Sequence, residues 1–596
     1  MRDPTIDKRH GSVNEQRARD TGYTLSKLWQ YVRRFRLLIA VCALLTLASN
    51  ALLLAAPKIS GRAVNAMEGG VGHVDFTTVF TCAKWMLACY LLSAVLSFVL
   101  SRLMIHLSQE TVRSIRQDLF EKLVDLPIAY FDTHTTGDIV SRISYDIDTI
   151  GASLSTDLLQ IVNSIITVVG CFTMMLSISW QMSLLFCVTI PVTIRFAAFR
   201  NKRMRPLFRK RSAALGRLNG YSEEMISGMK TVKAYHREQV FIDRFEERNQ
   251  EAVDSYYEAD YYGSVLGPST NFISNVTLSL LGVLGALLYL WRMLALGDLS
   301  SFILYSRKFS GPINETANIF SELQSALAAA ERVFLVIDEE PEPADGEDAV
   351  QLEQVRGNVD IRAVQFGYNP DRIVLRGLDL QAPPGSLTAI VGPTGAGKTT
   401  IINLLMRFYD PQQGKIFVDG TEIRNATRAS LRLSYSMVLQ DTWLFTGTVY
   451  DNIAYGRPDA TREQVEQAAK TARIHDFITH LPQGYDTVLS EDGTNISKGQ
   501  KQLLTIARAM LLDSAMLILD EATSNVDTRT EMHIQAAMRT LMQGRTCFVI
   551  AHRLSTIQHA DNILVIDGGT VKEQGTHQEL LQKNGLYAKL YKAQFT

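Results

Sequence analysis

Residues 392–400 read GPTGAGKTT and follow the apolar run SLTAIV at 386–391. A strand, a glycine-rich loop and a lysine–hydroxyl pair in that order suit phosphate chemistry. Glycines let backbone N–H groups approach an anion unhindered, and the helix beginning here adds the positive end of its dipole. Gly392, Pro393, Thr394, Gly395, Ala396, Gly397 and Thr400 are read as the cradle. Lys398 would reach the β- and γ-phosphates of ATP, and Thr399 would offer its hydroxyl to Mg²⁺. A second apolar run, AMLILD at 515–520, ends in Asp520 followed by Glu521. An aspartate ending a buried strand is a Mg²⁺ partner in P-loop enzymes, and Glu521 is then placed to orient or activate the attacking water. A third run, CFVIAH at 547–552, brings His552 to the same sheet edge. An edge histidine alone is most often structural; beside a P-loop and an Asp–Glu pair it is assigned to the γ-phosphate.

These groups need a sheet to bring them together. The acidic, proline-containing stretch EEPEPADGED at 339–348 reads as a linker, and beyond it short β-rich runs alternate with helical ones, an α/β pattern.

The chain before the linker is built differently. A spanning helix needs about 20 mostly apolar residues. Leu37 to Pro57 and Trp85 to Ser101 carry no charge, and Leu158 to Ile194 is charge-free for 37 residues, room for two spans with a turn near Ser177–Gln181. Tyr261 to Trp291 is a fifth run, and Leu299 onward a sixth, interrupted by Arg307 and Lys308. Buried helices of a soluble core rarely run so long without charge. Arg33, Arg34 and Arg36 precede the first span and Arg195, Arg200, Lys202, Arg203 and Arg205 follow the fourth. Basic residues stay on the cytoplasmic side, so the N-terminus, residues 102–157 and 195–260, and everything after the sixth span are cytoplasmic. The polar segments show helical spacing in Val112, Ile115, Leu119, Leu123 and Leu126, and read as spans prolonged into the cytoplasm. The alternative is amphipathic helices lying on the membrane. Lys308, Glu315 and Glu322 are seven apart, on one helical face. A solvated stripe facing an aqueous cavity is the plainer reading, and direct substrate contact the other.

The totals exclude several classes. With 596 residues the chain holds two or three domains, and its net charge of −1 gives no reason to expect a nucleic-acid partner. The six cysteines form no CxxC pair and five lie in or beside apolar runs, which fits small buried hydrophobes rather than a disulfide framework or zinc site. The first 35 residues are polar and lack a secretory signal, so the first apolar run is expected to be retained.

Taken together, the motifs resemble the ATP-binding-cassette superfamily. The resemblance implies that Tyr368, in VQFGY, stacks on adenine and that Gln440 contacts Mg²⁺ and the water. SKGQ at 497–500 (Ser497, Lys498, Gly499, Gln500) is similar to the signature that meets the partner's nucleotide, and SNVD at 524–527 to the loop crossing the dimer interface, with Asp527 as its acid. Before the linker, residues 126–148 and 223–238 resemble the two coupling segments of the six-helix exporter branch. The implied fold is a membrane α-helical bundle, six transmembrane helices with long cytoplasmic extensions, fused to an α/β P-loop nucleotide-binding domain. The expected divisions are a cytoplasmic segment 1–35, a transmembrane domain 36–330, a linker 331–356 and a cassette 357–596.

The signature departs from the pattern conservatively at Ile496 and in bulk and charge at Lys498. The signature is usually Leu-Ser-Gly-Gly-Gln, and here Lys498 stands third. With an intact P-loop, Asp520, Glu521 and His552 beside this altered signature, the chain resembles the consensus-site subunit of heterodimeric bacterial multidrug exporters. That resemblance implies ATP-driven export of a small amphiphile, drug-like or lipid-like, by a multi-pass protein of the bacterial inner membrane. It also implies ATP and Mg²⁺ as cofactors, membrane lipid and a second half-transporter as partners, and one hydrolysing plus one degenerate site. A homodimeric exporter and an ATP-gated regulator are the alternatives; Glu521 argues against the regulator, fused spans against a soluble ATPase, and the fused cassette against an importer.

Overall fold

The computed structural model describes residues 20–70, 72–369, 371–439, 442–490, 495–520, 527–550 and 557–595. Its contacts divide the chain into two units: residues 20–125 with 136–339, and residues 126–135 with 340–595.

The first unit is helical. Six of its long helices, Arg36–Asn65, Phe76–Asp125, Leu158–Ile178, Trp180–Ser227, Leu266–Leu290 and Leu296–Ile337, overlie the six expected spans, the last of them carrying Arg307 and Lys308, with the expected turn falling at Ser179. Among the described residues, Thr21–Asn65, Phe76–Asp125, Thr136–Ile178 and Glu238–Leu290 are long and apolar enough to cross a membrane, and Trp180–Val192 is a shorter apolar stretch. The polar segments are helical as their spacing predicts: Phe76–Asp125 runs on past its apolar part, and Glu238–Ser264 lies in the second polar segment. Residues 331–337, expected to open the linker, belong instead to the last helix, because Val333, Phe334 and Val336 are buried and keep the helical face apolar.

Large apolar side chains point outward in this unit. Leu37, Leu44, Phe80, Trp85, Leu91 and Phe98 are all more than half exposed, the inverse of a water-soluble core and the arrangement lipid favours. What faces inward includes an apolar cluster around Phe186, Phe302, Tyr305 and Phe309 and, elsewhere, small or polar groups. Ser49 Oγ lies 2.9 Å from Ser93 Oγ and 2.8 Å from Ser97 Oγ, and Asn50 Nδ2 donates to Asn163 Oδ1 at 2.9 Å. Gly61 and Gly297 bring the first and sixth long helices into backbone contact: a Cβ on Gly297 would stand 1.9 Å from the Gly61 carbonyl oxygen. Small residues allow this approach, which is how helices associate where no hydrophobic force separates them from lipid. Near the end of the last helix, Arg332 pairs with the buried Asp146 through Nε at 2.9 Å and Nη2 at 2.6 Å. An additional helix, Thr21–Val32, is fastened there too: Lys27 Nζ reaches Asp338 at 2.6 Å and Tyr31 stacks on Phe334.

The second unit is α/β. A six-stranded sheet runs, edge to edge, through Thr570–Gly575, Asn562–Asp567, Leu387–Val391, Thr546–Ile550, Met516–Asp520 and Tyr435–Val438, parallel except for the first pair. Its central strands are almost wholly apolar and buried on both faces, as a parallel sheet covered by helices requires. An antiparallel sheet of Leu375–Ala382, Val359–Phe366, Gln413–Val418 and Thr421–Glu422 packs its buried side, with Val359, Ile361 and Leu378, into the same core as Ile390, Ile401 and Phe548.

Candidate ATP-binding site

The strand Leu387–Val391 lies between Asn562–Asp567 and Thr546–Ile550, near the middle of the sheet. At its carboxyl end the chain turns through residues 392–397 into the helix Lys398–Leu405. Gly395 and Gly397 hold φ of +81° and +105°, a region that residues with a Cβ rarely adopt. Gly392 is required for a different reason, since a Cβ there would come within 2.2 Å of the Ile566 carbonyl. The loop thus wraps the start of a helix, where free N–H groups and the dipole make an anion cradle. Lys398 arches back over it, Nζ donating to the Gly392 carbonyl at 2.8 Å and that of Pro393 at 3.0 Å. Burial holds the Lys398 pKa below the ordinary lysine value, and the charge of Asp520 pulls it partly back. A phosphate would restore the charged form further. Thr399 is exposed at the start of the helix, while Thr400 is buried.

The sheet register explains why Asp520 sits nearby. Ile390 pairs with Ile550 and Ile550 with Asp520, so all three occupy one level at the carboxyl ends of parallel strands. Ligands of open α/β sheets bind at that end. Glu521, His552 and Gln440 lie outside the described residues.

Tyr368 stands beside the loop, its ring 44% exposed and held edge-on by Phe366 at 5.1 Å and Tyr409 at 5.1 Å. Its hydroxyl donates to Thr400 Oγ1 at 3.2 Å and accepts from Asn403 Nδ2 at 3.0 Å. A half-exposed aromatic face fixed at its far end is a stacking platform. Sequence reasoning missed Asn403 and Tyr409. Tyr409 donates to Asp132 Oδ2 at 2.5 Å, which ties the short helix Ile128–Thr133 to the platform. Burial first, then that hydrogen bond, raises the Tyr409 pKa above the ordinary tyrosine value.

The signature residues open the helix Lys498–Leu512. Ser497 is its N-cap: its side chain accepts from Gln500 N, while Ser497 N donates to Gln500 Oε1 at 2.8 Å, a reciprocal box that fixes the first turn. Gly499 is buried beneath it, and Lys498 is exposed on the first turn. Asp527 caps the helix Thr528–Met542, accepting from Thr530 N at 3.0 Å. Among the described residues no three His, Cys, Asp or Glu side chains gather as a metal cage. An exposed hydroxyl and one carboxylate suit Mg²⁺, which keeps waters and shares phosphate oxygens.

Residues 39–313 match the family of the ABC transporter transmembrane region, and residues 375–524 match the ABC transporter family. The ABC transporter ATP-binding protein YfiC of Bacillus subtilis, itself uncharacterised, is 42% identical over 99% of this chain and 97% of its own. The chain belongs to the ABC transporter family. The fatty acid ABC transporter ATP-binding/permease protein of Mycobacterium bovis is 44% identical over 90% of this chain and 84% of its own length. Among solved structures, a bacterial Atm1-family ABC exporter with ATP bound superposes with a TM-score of 0.75 at 31% identity, covering 94% of this chain and 99% of that one. The ABC transporter described here is therefore an exporter half: a multi-pass membrane region fused to a cytoplasmic, ATP-binding cassette whose hydrolysis is coupled to transport.

Proposed function

We propose that this ABC exporter works as one half of a heterodimer and moves an amphiphilic, lipid-like or drug-like substrate. Residues 36–330 form its membrane domain and 357–596 its cassette. ATP lies across two cassettes. On this chain the loop 392–397 and Lys398 hold the β- and γ-phosphates, and Tyr368 stacks on adenine. Thr399, Gln440 and Asp520 hold Mg²⁺, which when bound neutralises developing phosphate charge. Glu521 directs the water, His552 contacts the γ-phosphate, and Ser497, Lys498, Gly499 and Gln500 meet the partner's nucleotide, with Asp527 at the crossing. ATP favours the joined cassettes because it binds that state better, and hydrolysis removes the preference.

The observation that carries the pairing is Lys498 on the first turn of a helix, where a cation opposes the dipole unless an anion is present. Such a signature suits a site that retains ATP, while the phosphate cradle of this chain is complete. The amphiphilic cargo is supported by the fatty acid assignment of the Mycobacterium bovis relative. A homodimer is the second reading, favoured by the Ser497–Gln500 box, which closes despite Lys498. Vanadate-sensitive ATPase, measured for the chain alone and with its genomic neighbour, separates them. Activity confined to the pair and abolished by Glu521→Gln is expected. Equal activity for the chain alone would establish the homodimer, and indifference to Glu521→Gln would remove Glu521 from catalysis.

A further inference from the structure

Lys308 lies twelve residues into the helix Leu296–Ile337, about 18 Å along it at 1.5 Å per residue, and so deep in the membrane domain. Its ammonium donates to the Leu53 carbonyl at 2.7 Å. That carbonyl is free because its helical donor would be the nitrogen of residue 57, and Pro57 has no N–H. One and two turns away on the same face, neutral groups do similar work: Tyr305 OH donates to the Leu54 carbonyl at 2.5 Å and Ser301 Oγ to the Pro57 carbonyl at 2.9 Å. A hydroxyl or amide at position 308 would serve that purpose equally. A lysine is instead among the costliest residues to place at the centre of a span, and an ionisable side chain retained there has a functional reason.

The surroundings say which. An ammonium has three donors, and one is used. Among the described residues no carboxylate pairs with Lys308 or with the exposed Arg307 beside it. One turn back on the same face, at i−4, Leu304 is 37% exposed, so apolar surface adjoins the charge, while Phe309, next in sequence, is buried against Phe186 at 5.6 Å and holds this stretch of helix in place. Two spare donors beside exposed apolar surface match a molecule with an acidic head and a hydrocarbon body. We propose that Lys308 anchors the acidic headgroup, carboxylate or phosphate, of the exported amphiphile. The inference rests on the amphiphilic cargo argued above and narrows it to anions.

The test uses the ATPase-active preparation in liposomes, stimulated separately by oleate, oleyl phosphate and methyl oleate. The native protein is expected to respond to one or both acids at lower concentration than to the ester. Lys308→Gln, which retains a donor for the Leu53 carbonyl, should raise the half-maximal concentration of the effective acid by about tenfold, the loss of a charge-assisted bond, and leave the ester curve in place. Lys308→Arg should restore the acid response. Acid and ester curves that move together would show that Lys308 only satisfies the carbonyl left open by Pro57, and curves that do not move would overturn the anchor as well. If none of the three compounds stimulates the native protein, the amphiphilic cargo itself is wrong and the anchor falls with it.

Discussion

The two units keep their shape by opposite means. The cassette buries Phe548, Ile566, Leu517 and their neighbours around two sheets, and its buried charges, Arg407 and Arg428, are paired with Asp410 and Asp345. The membrane unit turns many bulky side chains outward, keeps an internal cluster around Phe186, Phe302 and Phe309, and adds close contacts through Ser49, Ser93, Asn50, Asn163, Gly61 and Gly297. The solvent explains the inversion. In water, removing apolar surface drives folding; in lipid that drive between helices vanishes, and close approach and polar contacts remain. An exposed bulky side chain is therefore exceptional in one unit and ordinary in the other.

That contrast can be broken by substitution. Phe548→Ala, in a fully buried strand position, should cost the cassette about 3–5 kcal/mol. Leu47→Ala, at a position 55% exposed, should stay within about 0.5 kcal/mol. Thermal unfolding of the purified full chain reads both, and comparable losses would end the comparison. Gly297→Ala adds one methyl group, yet that group meets the Gly61 carbonyl at 1.9 Å and Asn65 Oδ1 at 2.5 Å. About 1–3 kcal/mol of destabilisation is expected from such overpacking, seen as a loss of monodisperse protein in size-exclusion chromatography. Arg332→Met should cost about 1–3 kcal/mol because it strands the buried Asp146; Arg332 is itself half-exposed, which keeps the loss below that of a fully buried pair. Pairing it with Asp146→Asn in a double-mutant cycle should recover part of the loss. Ser49→Ala should be mild, about 0.6 kcal/mol, although it removes contacts to both Ser93 and Ser97.

The same contrast governs what could be read from the chain. Runs without charge marked the long helices, and the break at Ser179 fell where a polar interruption separated two spans. The glycine spacing of 392–397 announced a loop whose φ angles need glycine. Local pattern was silent about partners far apart in sequence. Nothing near Tyr409 points to Asp132, and nothing near Asp146 points to Arg332, because each bond is made by chain segments brought together only on folding. The helix Thr21–Val32 was hidden for a related reason: its polar composition resembles a free tail, and its order comes from Asp338, Phe334 and Asp118. Lys308 belongs here as well. Read as part of a solvated stripe, it is bonded to a carbonyl released by Pro57; Glu322 is exposed, and the side chain of Glu315 lies outside the described residues.

The Gly61–Gly297 crossing has a mechanical side. Contacts between side chains can yield by changing rotamer, but two backbones in contact have nothing to rearrange and can only pivot. The crossing is then a fulcrum close to one end of a long lever. At about 1.5 Å per residue, Ile337 is roughly 60 Å along the helix from Gly297, so each degree of tilt at the pivot displaces the far end by up to about 1 Å. Short strokes at the glycines become long ones forty residues away.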